Sequence, residues 1–303
     1  MTTVRKQAQV RALIFDCDGV LADTERDGHR VAFNAAFSEA GLPIHWDAGF
    51  YGELVTIGGG KERIGHVLTP ELLRASGKKG DHEGAASARP SSARPSSAKP
   101  ASAGAVTSSD PAASALDRDT LIRSLHARKS RIFQNLVAEG KVPPRPGVAR
   151  LIDEALAVGW HVAVASTSAQ ASVEAVLRTV VGVEVAEQIP VFAGDIVPRK
   201  KPAPDIYLHA LNALGIAPEH AIAVEDSGVG ARAALAAGMS LLVTVAGYTR
   251  EDDFSGARLV VDSLGEANAP ALVLSDPYQL MAGRDMVDMG VIAAIHALAQ
   301  QQE

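Results

Sequence analysis

The sequence predicts an α/β protein, a doubly wound parallel sheet with a helical cap domain inserted after its first strand. Three observations carry this. Five short apolar runs are near-continuous rather than alternating, which suits strands covered on both faces. Helical periodicities separate the later runs, the strand–helix alternation of a parallel sheet. One long interval, roughly residues 24–143, holds helix and loop patterns but no convincing strand.

The first run is Ala12–Phe15, and the others are His161–Ala165, Val191–Ala193, Ala221–Val224 and Leu241–Val245. After the first, Thr24 to Ala40 reads as a helix with Val31, Phe33 and Phe37 apolar and Gly41 as its stop; Thr120 to Glu139 reads as another. Val148, Leu151, Ile152 and Leu156 recur at helical spacing ahead of Gly159. Val173, Val176, Leu177 and Val180 repeat the pattern, and Ile206, Ala210, Leu211 and Leu214 precede Gly215. Glycine after the last periodic residue is a helix-stop signal. The expected division is therefore 1–23 and 144–303 for the α/β core and 24–143 for the cap. Within the cap, Ser-Ala-Arg-Pro-Ser occurs at 87–91 and again at 92–96. Such Pro/Ser/Ala sequence buries too little apolar surface to offset its ordering entropy, so 84–115 is expected to be a disordered surface loop.

Composition bounds the function. The chain has 303 residues, 47% of them hydrophobic, and a formal charge of -6. At about 100–200 residues per domain, that length suits two domains. The mild acidity argues against nucleic acid as a partner, since phosphate-backbone binders carry dense basic patches. Aromatic residues make up only 4%, so Ala, Val, Leu and Ile must build the core. The single cysteine, Cys17, permits no internal disulfide, which fits a reducing compartment. No apolar run approaches the roughly 20 residues of a membrane span, and the opening MTTVRKQAQVRALIF has no long apolar stretch of the secretory type.

The candidate chemistry clusters at the ends of the predicted strands. Asp16-Cys17-Asp18-Gly19 follows the first run. Residues two apart on an extended chain point the same way, so Asp16 and Asp18 face one site and Cys17 packs on the opposite side. Two such carboxylates can divide nucleophilic attack from acid–base work; a turn with two solvated aspartates fits the same residues. Ser166-Thr167-Ser168 ends the second run, with hydroxyls suited to a phosphoryl oxygen or to a helix N-cap. Lys201, in Lys200-Lys201-Pro202-Ala203-Pro204-Asp205, is either a phosphate clamp or a solvated lysine. Glu225-Asp226-Ser227 ends the fourth run, and adjacent acids there suit solvent or a hard cation such as Mg²⁺. Ligands of open α/β sheets bind outside the carboxyl ends of the strands, so the coincidence of these segments outweighs each one alone.

Taken in order, these four segments resemble the motifs of the haloacid dehalogenase superfamily. The resemblance implies a Rossmann-like core, a helical cap and Mg²⁺. It further implies Asp16 as nucleophile and metal ligand, and Asp18 as acid/base with its backbone carbonyl on the metal. Ser166 and Lys201 would hold the transferring phosphoryl group, and Glu225 and Asp226 would complete the metal site. Dehalogenase members lack the second aspartate, so Asp18 favours phosphoryl transfer.

The cap looks like that of the CbbY group, near β-phosphoglucomutase, on Glu25, Gly28–Asn34, Trp46, Tyr51–Leu54 and Gly58–Ile64. That likeness implies hydrolysis of xylulose 1,5-bisphosphate to xylulose 5-phosphate, removing an inhibitor of Rubisco. It also implies a chloroplast stroma setting in plants and algae, or the cytoplasm in bacteria. The expected partner is a small sugar phosphate, and the chain is expected to be a monomer. A β-phosphoglucomutase-like phosphotransferase and a phosphoglycolate phosphatase share the core motifs. A bisphosphate needs a second anion site, for which Gly59 and Gly60 offer backbone N–H groups and Lys61 and Arg63 offer charge. A glycine loop before a charged helix is the plainer account of the same stretch. Glu25, His29 and Tyr51 are candidate contacts to sugar hydroxyls, and Thr167 to the phosphoryl group; for His29 a structural role fits equally.

Overall fold

The computed structural model describes residues 10–69, 72 and 111–301. Its sheet has seven strands in the order β3-β2-β1-β4-β5-β6-β7. These are β1 (Ala12–Phe15), β2 (His161–Ser166), β3 (Val191–Ala193), β4 (Ala221–Glu225), β5 (Ser240–Thr244), β6 (Leu259–Val261) and β7 (Val273–Ser275). Every pairing is parallel except that of β6 with β7. The five expected strands form with ends shifted by at most one residue. The three-residue β6 and β7 lie beyond those expectations, because runs that short carry no legible period.

Each central strand divides its side chains between two buried layers. Leu13, Phe15, Val162, Val164, Ile222 and Val224 pack on one face, and Ala12, Ile14, Ala163, Ala165, Ala221 and Ala223 on the other. This double burial is why the strands read as continuous apolar runs. The helices are α1 (Arg30–Glu39), α2 (Ala48–Leu54), α3 (Gly60–Val67), α4 (Pro111–Ala138), α5 (Val148–Ala157), α6 (Gln170–Val181), α7 (Val183–Ala186), α8 (Asp205–Leu214), α9 (Gly228–Ala236) and α10 (Met289–Ala299). In α5 the buried residues are Val148, Leu151, Ile152 and Ala155, the i, i+3, i+4, i+7 stripe of a core-facing helix.

Between β1 and β2 the described residues form helices and no strand. The helix expected from Thr24 begins instead with a π-helical turn, Glu25–His29, before α1 continues the rod. Such turns widen a helix locally and recur at functional sites; here both Glu25 and His29 are buried. Val31 faces outward, and Ala32, Phe33, Ala36 and Phe37 form the buried stripe of α1. The insert has its own apolar cluster, in which Trp46 packs against Phe33 at 4.7 Å and Phe37 at 4.8 Å between ring centroids. Asn34 holds the Trp46 backbone at both ends, donating to its carbonyl at 2.9 Å and accepting from its N–H at 2.8 Å. Of the expected loop 84–115, residues 84–110 lie outside the described residues, and 111–115 form the start of α4. The two connections between insert and sheet run side by side, with Ala22 bridged to Pro144 and Arg145 N–H donating to Leu21 at 3.0 Å. Among the described residues no helix is long and apolar enough to cross a membrane.

Candidate active site

Parallel strands bring their carboxyl ends to one edge of the sheet, and the four sequence segments meet there. Asp16 leaves β1 with its N–H still donating to Val224 at 2.9 Å, so the β1–β4 ladder fixes its backbone. Gly19, at φ +78°, turns the chain immediately afterwards; a Cβ at that position would sit 2.2 Å from Asp226 Oδ2. Glycine is thus required both by conformation and by the approach of the β4 acid. Cys17 points away and packs among Leu13 and Phe15, as the strand alternation predicts.

Asp16, Glu225 and Asp226 are buried, and one carboxylate oxygen from each lies within 4.8 Å of the others. Lys201 Nζ donates to Asp16 Oδ1 and Glu225 Oε1, both at 2.7 Å, to Ala165 O at 3.1 Å and to the Tyr207 hydroxyl at 3.2 Å. Asp16 is pushed up to about 7 by burial and by the neighbouring Glu225 and Asp18 charges, with Lys201 opposing. Burial, Glu225 and Asp16 push Asp226 well above the carboxylate range. One lysine does not balance three acids, and hard oxygen donors at this spacing fit a divalent cation such as Mg²⁺.

The Asp18 carboxylate stands outside that acid cluster. Its Oδ1 accepts from Thr24 at 2.5 Å and faces His29 Nε2 at 2.8 Å, while Oδ2 accepts from Ser168. Burial works to raise Asp18, but the neighbouring His29 and the hydrogen bonds from His29, Ser168 and Thr24 win and hold it below the usual range. Ser166 is buried, and its Oγ accepts from Ser168 N–H at 3.1 Å, which leaves its own proton to give.

A cavity of about 360 Å³ opens from this cluster toward the insert, lined by Asp16, Asp18, Ser166, Thr167, Lys201 and Asp226 on the sheet side. Glu25, His29, Gly58, Gly59, Gly60 and Arg63 line it from the insert. Arg63 donates to both Glu25 oxygens at 3.0–3.1 Å and to the Tyr51 hydroxyl at 2.8 Å, and Tyr51 donates to Glu25. Its remaining donors reach the carbonyls of Val55 and Ile57. The charge expected to meet a second phosphate is therefore matched internally by Glu25. Tyr51 stands behind Glu25 rather than on the cavity wall. Lys61 lies outside the lining as well, paired with Asp195, while the neighbouring Glu62 pairs with Lys200 at 2.8 Å.

Several site residues escaped the sequence reading. Lys129 is buried, lines the cavity and reaches His29 Nδ1 at 3.0 Å. Its signal was present, since Leu125 and Phe133, one helical turn to either side, are buried core residues and a lysine between them is anomalous. His126 and Tyr248 also line the cavity, and Tyr207 braces Glu225 from below.

The model for haloacid dehalogenase-like hydrolases matches residues 10–238. A CBBY-like protein of Arabidopsis thaliana is 43% identical over 255 residues, covering 84% of this chain and 69% of the relative. A crystal structure of a CbbY variant from Rhodobacter sphaeroides in complex with xylulose-(1,5)bisphosphate superimposes with a TM-score of 0.64 at 37% identity, covering 86% of this chain and 98% of that one. A β-phosphoglucomutase structure from Clostridium difficile, with a TM-score of 0.55 at 21% identity over 84% of this chain and 92% of the other, shares the fold.

Proposed function

The chain belongs to the haloacid dehalogenase-like hydrolase family, in its CbbY-like group, and on that premise we propose that it is a Mg²⁺-dependent phosphatase that hydrolyses xylulose 1,5-bisphosphate to xylulose 5-phosphate. The observation that carries this is the meeting of Asp16, Lys201 and Asp226, with Glu225 against them, at the floor of one cavity whose opposite wall is polar and belongs to the insert. The substrate is supported by the ligand of the Rhodobacter sphaeroides structure.

Asp16, Glu225, Asp226 and the backbone carbonyl of Asp18 would hold Mg²⁺. When bound, the cation supplies charge against the phosphoryl oxygens and relieves the repulsion that raises Asp16 and Asp226. Lys201 fixes the rotation of Asp16 by holding Oδ1. Its three protons already face four acceptors, so a phosphoryl oxygen takes the place of one of the longer contacts, to Ala165 or Tyr207. Ser166 donates its free proton to a second phosphoryl oxygen, and Thr167 stands beside it. An Asp16 oxygen attacks phosphorus, the bond to the sugar oxygen breaks, and Asp18 gives that oxygen a proton. Asp18 then takes a proton from water, the water oxygen attacks the aspartyl-phosphate, and inorganic phosphate leaves with Asp16 restored. The hydrogen bonds from His29, Thr24 and Ser168 favour the ionised form that Asp18 takes once it has given its proton away, and the proton it then regains from water restores the acid for the next turnover.

Glu25 and His29 offer an acceptor and a donor to sugar hydroxyls, and Gly59 and Gly60 offer close backbone approach to a distal phosphate. The helical insert, residues 24–143, acts as the cap over the core of 1–23 and 144–303, excluding water while it is closed. On this reading the enzyme works as a monomer in a chloroplast stroma, or in the cytoplasm of a bacterium. The test is Mg²⁺-dependent phosphate release from xylulose 1,5-bisphosphate, ribulose 1,5-bisphosphate, β-glucose 1-phosphate and phosphoglycolate, with and without chelator. A preference for xylulose 1,5-bisphosphate that chelation abolishes is the expected result. Preference for another member overturns the substrate, and chelator-resistant turnover overturns the metal.

A further inference from the structure

We infer that Tyr207 is a positioning residue of the acid cluster, one whose hydroxyl holds a single oxygen of Glu225 so that the other oxygen faces the cation site. The inference rests on the reading of Asp16, Glu225 and Asp226 as metal ligands.

Tyr207 lies in the first turn of α8, fully buried against the alanine-lined face of the sheet. A tyrosine hydroxyl buried there needs a partner, and this one donates its only proton to Glu225 Oε1 at 2.5 Å. Lys201 donates to the same oxygen at 2.7 Å. Oε1 thus accepts two strong hydrogen bonds, whereas among the described residues Oε2 meets only the Asp226 N–H, at 3.3 Å. Gly230, in the first turn of α9, closes the third side. A Cβ there would lie 2.1 Å from each atom of the carboxylate group, so Glu225 rests directly on the helix backbone. The carboxylate is consequently fixed in rotation before any ion arrives. Outer groups that fix ligand orientation in this way govern metal affinity, typically by 10–100-fold.

Lys201 alone cannot do this, because its ammonium is shared among Asp16, Ala165, Tyr207 and Glu225 and is also the expected partner of the transferring phosphoryl group. Tyr207 has a single acceptor, so its proton is committed to Glu225 whichever of its contacts Lys201 gives up to substrate. Phenylalanine at this position would fill the same space without the proton.

The experiment is direct titration of the full-length protein with Mg²⁺ by calorimetry, repeated with Mn²⁺ by electron paramagnetic resonance, for the parent, Tyr207→Phe, Glu225→Gln and the double variant. Tyr207→Phe is expected to weaken binding about tenfold with an unchanged melting temperature in chelator. Its turnover of p-nitrophenyl phosphate should recover toward the parent level at saturating Mg²⁺. In the Glu225→Gln background the same change should add nothing, since Tyr207 acts through that carboxylate. Binding by Tyr207→Phe within twofold of the parent, or equal losses in both backgrounds, overturns the inference while leaving the metal site standing. Absence of Mg²⁺ binding by the parent overturns both. Tyr207→Met, which also removes the hydroxyl, supplies the same comparison if Tyr207→Phe does not fold.

Discussion

Lys129 Nζ and His29 Nδ1 stand 3.0 Å apart, and His29 presents its other nitrogen to Asp18 at 2.8 Å. An ammonium can only donate, so Nδ1 accepts and Nε2 carries the proton that reaches Asp18. Lys129 therefore selects the imidazole tautomer that serves the acid at the end of β1. Burial lowers Lys129 to about 8, against the pull of Asp18 and Glu25. Replacing Lys129 with Met should cut kcat by about tenfold or more through loss of the oriented His29. The check is steady-state kinetics with p-nitrophenyl phosphate, a substrate too small to depend on sugar contacts, and an unchanged kcat would refute the tautomer argument.

Asp16→Asn should abolish turnover, by about 10³-fold or more, because an amide neither attacks phosphorus nor leaves from it. It should not cost stability in the absence of metal. Asp16 is raised to about 7, so its ionised form opposes folding as pH rises from the ordinary carboxylate range through 7, and at pH 8 the strain is fully present. Thermal melting in chelator at pH 8 is expected to place the variant at or above the parent.

Breaking the Glu25–Arg63 pair should be expensive. Both groups are buried, and Arg63→Met strands a carboxylate that keeps the hydrogen bond from Tyr51 but loses its charge partner. Loss of one member of a buried pair costs about 3–5 kcal/mol. Denaturant unfolding followed by circular dichroism measures it, and Arg63→Met/Glu25→Met should recover part of the loss, since the pair then leaves no orphaned charge.

His126 gives the fold an acid-sensitive point. Burial and the charges of Lys129, Lys61 and Lys200 lower it to about 4 from an ordinary 6.5. The unfolded chain binds the proton first, so the neutral imidazole's contribution is complete above about 6.5 and is lost as pH falls toward 4. Such a shift corresponds to roughly 3 kcal/mol. His126→Asn should flatten the decline in unfolding free energy between pH 7 and pH 4.5; a variant as acid-sensitive as the parent would place the titration elsewhere.

Sequence exposes the sheet far better than it exposes the wall facing it. β1 through β5 are continuous apolar runs because both faces are buried, and their ends carry Asp16, Ser166 and Glu225 as fixed consequences of strand direction. Lys61 and Arg63 look alike in sequence, as charges two residues apart after a glycine loop. In the structure Arg63 turns inward to Glu25, 38 residues earlier, and Lys61 turns outward to Asp195, 134 residues later. Neither partner is within the reach of a periodicity. The π-helical turn is equally silent, because Glu25 and His29, four residues apart, would share one face of an ordinary α-helix as well. β6 and β7 went unseen for want of length, and Tyr207 because a tyrosine in an apolar helix face reads as packing.

The Ala22–Pro144 bridge gives the insert a neck, entered and left at one place. Arg145 rivets the returning chain to the core by donating to the carbonyls of Val245 and Asp262. Chain length added between α3 and α4 consequently exerts no leverage on Asp16 and Asp18, since both ends of the added stretch belong to the same appended body. A stretch of tens of residues between those two helices, such as 70–110 of this chain, can change in length and leave the separation of Asp16 and Asp18 untouched.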